Sequence, residues 1–290
     1  MDVRQLEYFL AVVDHGGVNR AATALHLSQP SLSQALRSLE RDLGSDLFHR
    51  IGRRVVLTGA GHALVEPARE AVRGLDLARS AVEAAQGLRR GRVDVATLPT
   101  QAIQPLTDLV SGFTGLHPRM SVSVRVALTT RDAVDMVRTG ACELGVVATA
   151  GPLPETEVRV WPLVRQDFVL LAPRDGPFLE GEPVPVERLA GRRLIVGQRG
   201  SGMRRFVDDL IADGLETHIA VETEDRVSVL PLVLAGAGFA VVTDAWRDLA
   251  ERAGALVLDL APTDHLDVAL ISRRGPLTAG AQAFVAHAVG

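Results

Sequence analysis

Gln29, Ser31, Ser33, Gln34 and Arg37 stand close together in the segment 28–44, SQPSLSQALRSLERDLG. Their amides and hydroxyls donate and accept hydrogen bonds, and the guanidinium donates in pairs. Side chains of these types can read base edges, because each base pair shows its own pattern of donors and acceptors in the major groove. Such reading requires a rigid element that carries them, and the sequence predicts one. Ser28 is placed to cap a helix, and Pro30 falls in its first turn, where a missing N–H costs nothing. Leu32, Leu36 and Leu39 form one apolar stripe, Leu43 continues it, and Gly44 ends the helix. A shorter helix precedes it, opening at Asn19 as N-cap, with Ala21, Ala22 and Leu25 inward and a turn through His26-Leu27-Ser28. Two helices joined in this way suit a helix-turn-helix, whose second helix lies in the major groove. The same spacing also suits a pair of core helices, so the flanking sequence must decide.

On the N-terminal side, Asp2 with Gln5 forms a loose capping box for a first helix. Leu6, Phe9, Leu10 and Val13 give that helix one apolar face, and Gly16-Gly17 ends it. Beyond Gly44, residues 46–50 and 55–57 can pair as a hairpin around Ile51-Gly52-Arg53-Arg54. That makes a wing, and its basic residues Arg50, Arg53 and Arg54 suit the phosphate backbone or the minor groove.

The stretch LEYFLAVVDHGGVNRAATALHLSQPSLSQALRSLERDLGSDLFHR resembles the N-terminal domain of the LysR-type transcriptional regulators. The matching positions are Leu6, Phe9, Ala21-Ala22, Leu25, Ser28-Gln29-Pro30, Leu32-Ser33, Leu39-Glu40, Leu43-Gly44, Leu47-Phe48, Arg50, Leu57-Thr58 and Gly61. His49 and Gly17-Val18-Asn19 depart from the commonest family residues, which bears on the operator sequence and not on the fold. The resemblance implies that Gln29, Pro30, Ser31 and Ser33 meet the groove, with Gln34 and Arg37 beside them, while Arg50, Arg53 and Arg54 hold phosphates. It also implies a double-stranded DNA partner, a small-molecule effector, and self-association as a dimer, with tetramers common in the family.

Length and composition are compatible with this. The 290 residues suggest two domains, and 47% hydrophobic with 23% charged residues is an ordinary soluble composition. No run of 18 apolar residues and no signal-peptide pattern is present, so a cytoplasmic protein without a membrane partner is expected. The single cysteine, Cys142, excludes an intrachain disulfide and reads as a core thiol. All 31 basic residues are arginine, so every phosphate contact has a forked donor. The net charge is −4 overall, but residues 1–92 carry 13 Arg against 10 Asp and Glu, whereas residues 93–290 carry 18 against 25. The halves differ in sign, as expected if only the first meets a polyanion.

Residues 60–88 read as one long helix. Leu64, Ala68, Ala71, Leu75, Ala78, Val82 and Ala85 recur at spacings of four and three, the seam of a coiled coil, and Pro67 is expected to bend or break it. A dimer through this seam would set two recognition helices about 34 Å apart, one helical turn of DNA. After Arg89-Arg90-Gly91 the pattern becomes strand 93–98, helix 103–116, strand 120–126, helix 131–138 and strand 144–148, the order of a largely parallel sheet covered by helices. Strands at 158–163 and 168–172 follow, then a Pro- and Gly-rich loop over 173–185. A second unit comprises strand 194–197, helix 203–212, strand 220–223, helix 226–235 and strand 239–242, before strand 266–272 and helix 279–288 return to the first sheet. The expected fold class is α/β with three parts. They are a winged helix-turn-helix over 1–58, a linker helix over 59–91, and a two-lobed effector domain over 92–290 that resembles periplasmic binding proteins. Lobe I is expected at 92–162 and 266–290, lobe II at 163–265, with crossovers near Trp161-Pro162 and Pro262–Leu266.

Open α/β sheets bind ligands beyond the carboxyl ends of their strands, where helix N-termini point. Thr97, Thr100, Gln101, Thr129, Thr130, Gln198, Ser201 and Thr223 supply hydroxyls and amides there, and Arg199 and Arg204 could add charge. These residues suggest a small effector, anionic rather than cationic, held between the lobes; each taken alone is also an ordinary helix cap. No cofactor is expected. The run Gly197–Gly202 lacks the glycine spacing of a dinucleotide loop and no lysine exists for a P-loop. The eight histidines show no ligand spacing and no nucleophile motif is present, so neither a metal site nor an enzyme is expected. A solute-binding protein with helices used only for assembly, and an α/β enzyme with a helical appendage, remain as weaker alternatives.

Overall fold

The computed structural model describes residues 1–51, 54–85, 91–153 and 156–290. It forms two compact units, one built on residues 1–89 and the other on most of residues 90–290. In the first, α1 (Val3–His15), α2 (Val18–Ala24) and α3 (Gln29–Leu43) precede a hairpin of β1 (Phe48–Ile51) and β2 (Arg54–Leu57), then α4 (Gly59–Ala85). Both expected caps of the recognition segment are present: Ser28 accepts from the Ser31 N–H, and Gly44 closes α3 at φ 66° in the left-handed region. Asp2 and Gln5 form the reciprocal capping box of α1. α2 differs from the expectation. It opens at Val18 behind Gly17 with no side-chain cap, so Asn19 lies inside the helix, where its carbonyl accepts from the Thr23 hydroxyl.

Leu6, Phe9, Leu10, Val12, Ala21, Ala22, Leu32, Leu36, Leu39, Leu47 and Ala68 make the core of this unit. Val12 takes the buried place expected for Val13, and Leu43 is 38% exposed at the end of its stripe. Phe9 packs on Phe48 at 5.4 Å between ring centroids, which fixes the hairpin against α1. The ladder pairs Phe48 with Leu57 and Ile51 with Arg54, so the strands approach more closely at the turn than the four-residue loop expected. Thr58 donates to the Asp46 carbonyl and accepts from the Gly61 N–H, which ties the start of α4 to the base of the hairpin.

α4 runs through Pro67 without a break. Ala68 joins the core, and Leu64, Val65 and Val72 pack against it. Farther along the expected seam, Ala71 and Ala78 are exposed and Val82 is 60% exposed. Leu64 and Val82 are about five helical turns apart and so share a face. The core of the first unit covers the start of that face and stops before its end. The last residues of the expected helix, 86–88, lie outside the described residues.

The second unit comprises β3 (Gly91–Thr97), α5 (Pro99–Ile103), α6 (Leu106–Leu116), β4 (Met120–Val126), α7 (Thr130–Arg138), β5 (Leu144–Thr149), β6 (Val158–Ala172), β7 (Val184–Pro185), β8 (Arg193–Gly197), α8 (Gly202–Ala212), β9 (His218–Thr223), α9 (Val229–Leu234), β10 (Phe239–Thr243), α10 (Arg247–Arg252), β11 (Leu256–Ala261), β12 (His265–Arg273) and α11 (Ala279–Val289). The strand order is β4-β3-β5-β12-β6-β10-β8-β9, with β11 on β6 and β7 on β11. Within each half, β3 runs parallel to β4 and β5, and β8 runs parallel to β9 and β10.

The two strands expected at 158–163 and 168–172 are one continuous strand. β6 pairs antiparallel with β12 over its first ten residues and with β10 and β11 over its last. Pro162 suggests a break because it cannot donate to a ladder. The register shift between Val268 and Ala269, opposite Pro162 and Val164, accommodates it as a bulge. The first crossing between the half-sheets is thus made of strand, whereas the second passes through the short link of residues 262–264 between β11 and β12. α10 and β11 are not expected from the sequence. The helix expected from residue 103 begins at Leu106, after the separate short helix α5.

Candidate nucleic-acid interface and ligand cleft

The exposed face of α3 is organised by its own hydrogen bonds. The Ser28 and Ser31 hydroxyls lie 2.7 Å apart, and the Gln29 amide donates to the Ser33 hydroxyl at 2.8 Å. Arg37 Nε donates to the Ser33 carbonyl at 3.3 Å, and Arg41 Nε donates to that of Arg37 at 3.3 Å. Gln29, Pro30, Ser31, Gln34 and Arg37 are exposed, and Ser33 is half-buried. A hollow lies on each side of the helix, one lined by Gln34, Arg37 and Arg41, the other by Gln29, Ser33 and Phe48 of the hairpin.

The acidic groups of α3 are engaged elsewhere. Glu40 accepts from the Leu47 N–H at 2.9 Å. Asp42 accepts from the N-terminal ammonium at 2.6 Å, and that hydrogen bond and charge hold its carboxyl below the usual range. Arg37 and Arg41 therefore dominate the charge of the exposed face. In the hairpin, Arg50 stands opposite Val55 and Arg54 opposite Ile51. Arg53 lies outside the described residues.

In the second unit a cleft opens where the strand ends of the two half-sheets face each other. Leu98–Gln101, Leu128–Thr130 and Ala148 line it from one half; Gly200–Met203, Arg226 and Thr243 line it from the other, with Leu266 of β12. Its free volume is only about 30 Å³. At its floor Gln166 of β6 joins the halves. Its amide oxygen accepts from Gln101 at 3.0 Å and from Thr243 at 3.2 Å, while its nitrogen donates to the Gln104 carbonyl at 3.0 Å. At the mouth the Gln198 amide donates to the Leu128 carbonyl at 3.2 Å.

Two buried arginines in this region differ sharply. Arg204 is neutralised: Nε reaches Asp208 at 2.7 Å and Nη1 reaches Glu222 at 2.6 Å, and these hydrogen bonds raise its pKa. Arg226 is 8% exposed and has no carboxylate within 4.0 Å among the described residues. Its nearest polar contact is the Met203 thioether, 2.7 Å from Nη1. Burial pushes the Arg226 guanidinium below its ordinary pKa, but guanidinium stays protonated in proteins. Gly197 at the end of β8 makes room for it; a Cβ there would come within 3.2 Å of Cζ and Nε. A buried cation served by so weak an acceptor is poised to take an anion.

Two family models match the chain. The bacterial regulatory helix-turn-helix protein of the lysR family covers residues 3–62, and the LysR substrate binding domain covers residues 86–290. The chain belongs to the LysR family. It is therefore a DNA-binding transcriptional regulator with an effector-binding domain, not an enzyme. Among curated relatives it is 32% identical to the HTH-type transcriptional regulator TfdS of Cupriavidus pinatubonensis, over 83% of this chain and 82% of the relative. It is 24% identical to the HTH-type transcriptional activator CmpR of Synechocystis, over 83% and 78%. Among solved structures it is similar to full-length CbnR complexed with target DNA, with a TM-score of 0.68, 26% identity and 99% of each chain covered. A full-length OxyR variant from Pseudomonas aeruginosa shares the fold at a TM-score of 0.72 and 24% identity, over 99% of this chain and 93% of that one.

Within this LysR regulator the cleft gathers Thr100, Gln101, Thr129, Thr130 and Ser201 of the residues singled out from sequence. Thr97 is fully buried and donates to the Leu98 carbonyl, Arg199 is exposed, and Gln198 spans the mouth; none of the three lines the cleft. Thr223 also stands outside it. Its hydroxyl accepts from the Asp225 N–H at 3.0 Å and so shapes the loop that carries Arg226. Sequence reasoning missed Arg226 itself, Gln166 and Met203. Arg226 reads in sequence as the solvated start of the apolar run 227–234, and nothing local marks it as buried. No helix among the described residues is long and apolar enough to cross a membrane.

Proposed function

We propose that this regulator reads its operator with the N-terminal half of α3 and gates that reading through an anionic effector held on Arg226. Gln29, Pro30, Ser31 and Ser33 meet base edges, Gln34 and Arg37 flank them, and Arg50, Arg53 and Arg54 hold phosphates. The observation that carries the reading is the exposed, internally hydrogen-bonded polar face of α3, which keeps its side chains in place before DNA arrives. The similarity to CbnR, which was solved in complex with its target DNA, supports it. Two copies associate through the open part of the α4 seam, Leu75, Ala78 and Val82, as dimers that pair into tetramers. The protein works in the cytoplasm, where its DNA is. Effector binding changes operator affinity only to the extent that it prefers one arrangement of the paired copies.

A gel shift with the DNA upstream of the protein's own reading frame tests this. Specific retention that falls on adding competitor operator is expected; equal retention of unrelated duplexes would sink the reading. Replacing Gln29 by alanine is expected to cost about 1–3 kcal/mol at one base pair and to relax preference there only. A binding-site selection with the variant checks it. Arg53→Ala is expected to weaken all sequences alike and to lower the slope of log K against log salt by about one. Titrations over a series of salt concentrations measure that slope.

A further inference from the structure

We infer that Arg37 reads a guanine of the operator, so that this side chain specifies one G·C pair in each half-site. The inference rests on the operator reading proposed above and adds a base to it. The position of Arg37 on α3 comes first. Pro30, Arg37 and Glu40 border both hollows beside the helix, whereas Gln34 and Arg41 border only one and Gln29 and Ser33 only the other. Pro30 and Arg37 are about two helical turns apart and so project in nearly the same direction. They form the ridge of the exposed face, the part that enters a groove deepest. The N-terminal residues of a recognition helix meet base edges. Arg37 stands about 10 Å farther along the axis than Pro30, and the length of its side chain makes up the added reach.

Its hydrogen bonding comes second. Nε donates to the Ser33 carbonyl at 3.3 Å, one turn back. That bond aims the guanidinium and leaves the donors on Nη1 and Nη2 as a fork. No carboxylate lies within 4.0 Å of Arg37 among the described residues. Among the bases, guanine alone presents two acceptors, N7 and O6, on its major-groove edge. Adenine presents one acceptor and one donor, cytosine a donor, and thymine one acceptor and a methyl group. Two parallel donors therefore select guanine.

A phosphate is the competing partner, and Glu40 opposes it. Glu40 stands one turn on, along the same ridge. Its bond to the Leu47 N–H at 2.9 Å holds the carboxylate in place without neutralising it. A phosphate seated on Arg37 would meet that charge, whereas the neutral edge of guanine would not. With about 3.4 Å per base pair, the offset from Pro30 puts the G·C pair within about three base pairs of those read by the first turn.

The test begins with selection of sites from a random duplex library by the full-length protein, followed by titrations of the selected duplex. Replacing the specified G·C pair by A·T is expected to weaken binding about 5- to 150-fold. Replacing its guanine by 7-deazaguanine, which lacks only the N7 acceptor, is expected to weaken binding less but in the same direction. Arg37→Ala is expected to bind the three duplexes alike and to keep the preferences at other positions. Equal weakening of every duplex by Arg37→Ala, with the slope of log K against log salt lower by about one, is the behaviour expected of Arg53→Ala; it makes Arg37 a phosphate contact and overturns the inference. An Arg37→Ala protein that keeps every preference overturns it too. The 7-deazaguanine arm needs no variant, so indifference of the unaltered protein to it at every selected guanine decides against Arg37 even if Arg37→Ala does not fold. Selected sites without a fixed G·C pair overturn the guanine and leave the operator reading standing. If the unaltered protein selects no sequence at all, the operator reading falls and takes this inference with it.

Discussion

Gly61→Ala is expected to destabilise the N-terminal unit by about 3 kcal/mol or more and to abolish operator binding. A Cβ at that position would lie 2.1 Å from the Leu47 carbonyl oxygen and 2.8 Å from a Leu57 methyl carbon. The first of these is backbone, so no rotamer change relieves it, and overpacking of this kind costs about 1–3 kcal/mol even where side chains can yield. Relief requires the hairpin to lift from the start of α4, which breaks the Thr58 bonds to Asp46 and Gly61. The two tryptophans, Trp161 and Trp246, both lie in the other unit. Urea unfolding followed by far-UV circular dichroism should therefore show an early transition that tryptophan fluorescence does not. A variant whose circular dichroism midpoint matches the parent would show that the hairpin does not sit against α4 in this way.

The second large effect is expected at Asp14. Its carboxylate pairs with Arg69 of α4, with side-chain exposures of 19% and 9%. The pair is made by Arg69 Nη2, while the buried Nε has no acceptor among the described residues, so the guanidinium depends heavily on this carboxylate. Breaking such a pair from one side costs about 3–5 kcal/mol, because the remaining charge stays desolvated. Asp14→Ala should show that loss. The double variant Asp14→Leu with Arg69→Met should recover most of it, because it removes the charge along with its partner. Equal destabilisation of the single and double variants in a urea titration would mean that packing, and not charge, explains the effect.

Features set within one or two turns of chain are legible in the sequence. Ser28, Pro30 and Gly44 bound the recognition helix as their chemistry requires, and the Asp2–Gln5 box starts α1. Competing local signals are harder to rank. Asn19 is a good cap by type, but Gly17 turns the chain earlier and Val18 starts the helix. Pro162 is a poor strand residue by type, yet a bulge at Leu163 beside it, on the same strand, absorbs it. The ligand cleft is legible in its polar rim, Thr100, Gln101, Thr129, Thr130 and Ser201, because strand ends followed by helix starts can be seen in the pattern. Its charge is not. Arg199, Arg204 and Arg226 look alike in a string of letters; only the fold pairs Arg204 with Asp208 and Glu222, exposes Arg199 and buries Arg226.

β6 passes through both half-sheets as one unbroken strand, and β12 is hydrogen-bonded to it along Val158–Asp167, up to the point where the halves meet. Such a ribbon behaves as a torsion spring, not as a tether: it stores elastic energy when twisted and returns when released. The lobes can therefore rock through a small arc but cannot swing freely, and ligand capture works against a restoring torque. In hydrogen–deuterium exchange the amides of Asp267–Ser272, paired with β5 on one side and β6 on the other, should be among the last to trade with solvent, while those of Gln198–Gly202 respond first to an added acid.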